Sequence, residues 1–223
     1  ETVKYLVKSG AEVNRCTNVG RTPLYRACLS GHKNIVQYLH LSGADINCSD
    51  VEGFTPLYSA SQNGHEEIVK YLVNFGAEIN RCSNDGRTPV YAACQDGHRN
   101  IVEYLVESGV EINYSDGEGC TALYLACHNG DEETVKYLVK SGAEVNRCTN
   151  DGRTPLNAAC GSGHKNIVQY LHLSGADISC ANVDGHTPLR SASCNGHQKT
   201  VEYLVESGVE INRADNEGFT PLY

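Results

Sequence analysis

Thr22, Thr55, Thr88, Thr121, Thr154, Thr187 and Thr220 stand 33 residues apart, each opening a Thr-Pro-Leu-like run. The glycines two residues before them keep the same step, from Gly20 to Gly218, and so do Gly31, Gly64, Gly97, Gly130, Gly163 and Gly196. No insertion or linker breaks the register. An unbroken period of this kind rules out most globular topologies, because each unit must be one small motif that buries its apolar side against copies of itself. Six full units fill residues 18–50, 51–83, 84–116, 117–149, 150–182 and 183–215. Partial units cover 1–17 and 216–223, and residues 1–223 read as a single array.

Local chemistry assigns the elements of one unit, 18–50. Asn18-Val19-Gly20-Arg21 has turn composition, with Gly20 able to take positive φ. Thr22 suits an N-cap and Pro23 the first helical position. Leu24, Ala27 and Cys28 form an apolar stripe at helical spacing, and Gly31 ends that helix. A second helix runs through Ile35, Val36, Tyr38 and Leu39, with Gly43 just past its end. Helices of about nine residues do not persist alone in water, so neighbouring units must cover them.

Charge and composition exclude several classes. The net charge is −9, from 18 Lys+Arg against 27 Asp+Glu, with no basic block. That is a poor match for a phosphate backbone, so nucleic acid is not expected as a partner. No apolar run reaches the roughly 18 residues that span a bilayer, and no signal-peptide pattern opens the chain. There is no Met, which predicts a segment of a longer protein. Eleven cysteines, an odd number without a CxxC pair or zinc-finger spacing, predict a reducing, cytoplasmic compartment in which Cys serves as a small apolar residue. No nucleophile elbow, phosphate-binding glycine loop or HExxH occurs. The expectation is therefore no enzyme activity, no cofactor and no metal. Two N-x-S sequons, at Asn47 and Asn113, are expected to go unused.

Gly-x-Thr-Pro-Leu at the first helix, Gly-His between helices and Gly-Ala-Asp-Ile-Asn at the exit resemble the ankyrin repeat, over the whole chain. The resemblance implies an all-α ankyrin-repeat solenoid of stacked helix-turn-helix units joined by β-turn, hairpin-like loops. The sequence departs from the family pattern where Tyr25, Tyr58, Tyr91, Tyr124, Asn157, Arg190 and Tyr223 replace the His after Thr-Pro-Leu. Ala122 also replaces the Pro, and Asp131 the His of Gly-His. In animals, family members can be hydroxylated at Asn in the exit segment, which Asn47, Asn80 and Asn146 match.

His32, His65, His98, His164 and His197 occupy the Gly-His slot, a repeat or more apart, and read as structural. His40 and His172 replace an apolar residue late in the second helix and read as partly exposed. Cys28, Cys94, Cys127 and Cys160 read as core, whereas Cys16, Cys82 and Cys148 share one turn position and Cys48 and Cys180 another.

Residues 1–46 match residues 133–178, four repeats on, at 42 of 46 positions. The four differences are Val19 and Asp151, Tyr25 and Asn157, Arg26 and Ala158, and Leu29 and Gly161. The resemblance implies that partners bind a concave surface of turn tips and exposed first-helix sides. Positions 19, 26 and 29 match outward sites there, and position 25 its edge. The outer-helix residues Lys4, Lys8, Lys33, Asn34 and Gln37 are unchanged between copies.

The expected binding residues are the turn tips Val19, Glu52, Asp85, Glu118, Asp151 and Asp184, the turn residues Arg21, Phe54, Arg87, Arg153 and His186, and the helix residues Arg26, Leu29, Gln62, Gln95 and His128. The implied function is a non-catalytic, monomeric scaffold for protein partners, with no membrane contact in these residues. Two alternatives are the targeting arm of a larger enzyme, such as a kinase or ubiquitin-ligase subunit, and a mechanical or channel-associated array.

Overall fold

Six of the seven periodic threonines cap a helix in the computed structural model, which describes residues 1–223. Each threonine Oγ1 accepts the backbone N–H three residues on, from Tyr25 at 3.1 Å in the first repeat to Arg190 at 3.1 Å in the last. Pro follows at the first helical position everywhere except Ala122. Thr220 opens only a turn.

The chain forms two compact units, Glu1–Glu111 and Ile112–Tyr223. The first holds α1 (Thr2–Lys8), α2 (Pro23–Leu29), α3 (Lys33–Leu41), α4 (Pro56–Gln62), α5 (Glu66–Asn74), α6 (Pro89–Gln95) and α7 (Arg99–Glu107). The second holds α8 (Ala122–Asn129), α9 (Glu132–Lys140), α10 (Pro155–Gly161), α11 (Lys165–Leu173), α12 (Pro188–Cys194) and α13 (Gln198–Glu206). There is no strand, only an isolated bridge between Ser115 and Thr121. Within each unit the first helices of the repeats form one layer and the second helices another. Between the layers lie Leu24, Cys28, Leu39, Leu57 and Leu72 in the first unit, and Leu123, Leu138, Leu156, Cys160 and Leu171 in the second, all at most 2% exposed.

Successive turns join by backbone hydrogen bonds at their tips. In the first unit Val51 N–H donates to Val19 O (3.1 Å) and Asn84 N–H to Glu52 O (2.8 Å). In the second, Asn150, Val183 and Asn216 donate to Glu118, Asp151 and Asp184. This close approach requires glycine: a Cβ on Gly53, at φ +85°, would lie 2.9 Å from Asn84 N.

Two side-chain devices fix the repeat spacing. Four of the Gly-His histidines, His65, His98, His164 and His197, donate to a carbonyl of the preceding repeat, His65 to Leu29 O at 3.2 Å and His197 to Gly161 O at 2.9 Å. The glycine between is again obligatory, since a Cβ on Gly163 would lie 2.5 Å from His197 Nδ1. The exit asparagines clamp the next repeat: Asn146 donates to Gly175 O (2.9 Å) and accepts from Asp177 N–H (2.9 Å), as Asn47 does with Gly76 and Glu78. Asp131, lacking an imidazole, instead caps α9 by accepting from Thr134 N–H at 3.1 Å.

His40 and His172 are half-buried, each 2.8 Å from the hydroxyl of a tyrosine in the next repeat, Tyr71 and Tyr203. Cys28, Cys94, Cys127 and Cys160 are buried, Cys16 and Cys148 exposed, and Cys82, Cys48 and Cys180 in between.

One expectation is overturned. Position 25 is not at a surface edge: Tyr25 is 4% exposed and its counterpart Asn157 5%. Three residues after the cap, this side chain points back under the turn rather than outward.

Candidate functional site

The turn residue at positions 21, 54 and 87 lies over the side chain four residues later, one helical turn along. In the first unit Arg21 stacks on Tyr25 (5.3 Å), Phe54 on Tyr58 (4.5 Å between centroids) and Arg87 on Tyr91 (6.0 Å). Arg21 is also tied to the buried carboxylate of Asp50 at 3.2 Å, so it is not a free solvated charge. Burial pushes the Tyr25 and Tyr58 hydroxyls above their usual pKa, and both stay neutral. Val19, Arg26, Glu52, Asp85 and Gln95 are exposed and Leu29 and Gln62 partly so.

In the second unit the stacked pairs differ. Position 120 is Cys with Tyr124 four residues on, position 153 Arg with Asn157, and position 186 His with Arg190. Asn157 turns inward and completes a capping box: its Oδ1 accepts from Thr154 N–H (2.9 Å) while Thr154 Oγ1 accepts from Asn157 N–H (3.3 Å). Arg153 pairs with Asp151 at 3.0 Å. The Thr149 hydroxyl, then Arg153, hold the Asp151 carboxyl below the usual carboxylate range against the effect of burial.

Arg190 Nη2 lies 2.8 Å from Asp215 Oδ2, an ion pair without hydrogen-bond geometry, and His186 Nε2 lies 3.5 Å from the same oxygen. The Asp215 side chain is only 1% exposed. Burial opposes its ionisation, but the N–H groups of Phe219 and Glu217 and the charges of Arg190 and His186 prevail and lower its pKa. Arg190 Nε is buried without an acceptor.

These residues surround a groove of about 320 Å³ across α8, α10 and α12, with Tyr124, His128, Arg153, Asn157, Ala158, Gly161, His186 and Arg190 on its walls. The structure thus gathers the expected residues His128, Arg153 and His186 in one place. It leaves Glu118 and Asp184 at turn tips, with their backbone carbonyls engaged, and Asp151 behind Arg153. The sequence pattern alone did not single out Tyr124, Asn157 and Arg190. Their signal was the variable residue after Thr-Pro-Leu, read there as a lost histidine and, for the pair Tyr25 and Asn157, as the edge of the binding surface.

The described side chains bring no group of three or more His, Cys, Asp or Glu together around a possible metal ion. No helix is long and apolar enough to cross a membrane. No curated protein matches the chain. Family models of ankyrin repeats match residues 1–40 in a many-copy form and residues 35–116, 109–182 and 172–223 in a three-copy form. The matches leave no residue uncovered, and with the capped helix pairs, the histidine and asparagine clamps and the joined turn tips they show that the chain belongs to the ankyrin-repeat family.

Proposed function

We propose that this protein is a non-catalytic scaffold that binds protein partners through its turn tips and the exposed sides of its first helices. Ankyrin repeats are general protein–protein interaction modules. The observation that carries the narrower reading is where the duplicated block diverged. Val19, Arg26 and Leu29, all at least partly exposed on the turn and first helix, changed to Asp151, Ala158 and Gly161. The exposed outer-helix residues Lys4, Lys8, Lys33 and Asn34 did not change. Random drift has no reason to spare one exposed surface and alter another. The reading puts the protein in the cytoplasm, where eleven free thiols stay reduced.

The test is a triple exchange, Val19→Asp, Arg26→Ala and Leu29→Gly, compared with Lys4→Ser, Lys8→Ser and Lys33→Ser in a pull-down followed by affinity measurement. Tyr25 is left alone, because it is buried and its loss would open a cavity. Partners captured through the first repeats should bind the first-helix variant about tenfold or more weakly, since exposed anchors such as Arg carry about 2 kcal/mol when truncated. The outer-helix variant should bind them like the wild type. The reverse pattern defeats the assignment.

A further inference from the structure

We propose that the groove across α8, α10 and α12 receives a carboxylate side chain from an acidic peptide segment of a partner protein. This rests on the first-helix reading above and gives it a chemistry.

The groove lies where the two copies of the duplicated block differ. Three of the four differing positions, Asn157, Ala158 and Gly161, line it, and each is smaller than its counterpart Tyr25, Arg26 or Leu29. The space is real at the backbone level: a Cβ built on Gly161 meets no atom within 4 Å. Its volume of about 320 Å³ is at the small end of the roughly 300–1,000 Å³ of ligand sites, enough for a side chain and its flanking backbone.

The lining is cationic and polar. Arg153, Arg190, His128 and His186 face it, and no carboxylate lines it. This runs against a chain whose net charge is −9, so it is not the general character of the surface. Asp151 and Asp215 pair with the two arginines at 3.0 and 2.8 Å. A ligand carboxylate in the groove takes charge-assisted hydrogen bonds from the exposed parts of the two guanidinium groups, Arg153 being 52% and Arg190 18% exposed, in the geometry arginine favours. Two arginines are too few to track a nucleic-acid backbone.

The probe is the capped peptide acetyl-Ala-Ser-Glu-Ser-Ala-amide and its glutamine counterpart, titrated into the full chain and followed by amide NMR shifts. The glutamate peptide should move the amides of Ala158, Gly161, Ser162 and Arg190 and bind about tenfold more tightly than the glutamine peptide. Gly161→Leu fills the open space with the residue the first copy carries and should abolish those shifts. Arg153→Gln should weaken binding severalfold. Both variants should keep the dispersed spectrum of the wild type, since Gly161 contributes only its carbonyl to His197 and Arg153 is exposed. Equal binding of the two peptides, shifts outside the groove, or no shifts at all would overturn the proposal. Any of these would leave the first-helix reading to be decided by the triple-exchange pull-down, which touches only the first unit.

Discussion

Cys120 and Cys148 stand on neighbouring turns of the second unit, and their surroundings make them different reagents. Cys148 is exposed, as are Cys16 and Cys194. Cys120 is half-buried, and burial first, then the negative charges of Asp116, Asp151 and Glu118, push its thiol up to about 11. Both effects disfavour the thiolate, which is the reactive form. At pH 7.5 iodoacetamide should therefore label Cys16, Cys148 and Cys194 well before Cys120, read by peptide mass spectrometry. The Cys120 rate should rise about tenfold per pH unit and keep rising past pH 9, where an ordinary thiol of pKa about 8.5 levels off. A Cys120 rate that levels near pH 9 would contradict the acidic, desolvated setting. The same local view explains the exit asparagines: Asn47 and Asn146 each satisfy a carbonyl and an N–H at the next helix end, groups that no intrahelical bond can reach.

Two helices of identical sequence show how little of an element's stability is its own. Thr2–Lys8 and Thr134–Lys140 both read Thr-Val-Lys-Tyr-Leu-Val-Lys. In α9 Val135 and Leu138 are fully buried, whereas α1 buries no residue and its Leu6 is 51% exposed. Because the sequences match, intrinsic amide exchange rates match, and any difference reports structure. The amides of Tyr5–Lys8 should exchange about a hundredfold or more faster than those of Tyr137–Lys140, because a seven-residue helix without a covered face is marginal in water. Equal protection would mean that α1 is covered by something these residues do not include. Elements of this kind were legible in the sequence, since Thr-Pro starts, Gly stops and apolar spacing are local signals. The groove was not. It depends on Asn157 turning inward to cap its own helix, on the small size of Ala158 and Gly161, and on Asp215, far along the chain, pairing with Arg190. Each is a three-dimensional consequence with no periodic signal, and the inward turn is also why position 25 was misread as an edge.

At the scale of the whole molecule, the two copies of the duplicated block share their interior except for Tyr25 and Asn157 and differ otherwise at positions 19, 26 and 29, exposed or partly exposed in the first copy. Leu24, Cys28 and Leu39 recur as Leu156, Cys160 and Leu171, all buried, while the exposed differences fall on the surface proposed to bind partners. Such a history is open to a repeat protein because its stability is close to a sum of terms within repeats and between nearest neighbours. The same logic makes a prediction for the second unit. Residues 112–223 contain three complete repeats, 117–149, 150–182 and 183–215, the smallest number expected to hold a stack together. Their first helices pack as α8 on α10 on α12, and their second helices as α9 on α11 on α13. Expressed alone, residues 112–223 should stay helical by circular dichroism and unfold cooperatively in urea. The m-value should be about half that of the full chain, because m follows the surface exposed on unfolding. The midpoint should be lower, because nearest-neighbour terms have been removed while the denatured chain loses nothing comparable. If this piece shows no cooperative transition, the interfaces within 112–223 do not suffice, and its groove needs the rest of the chain to exist.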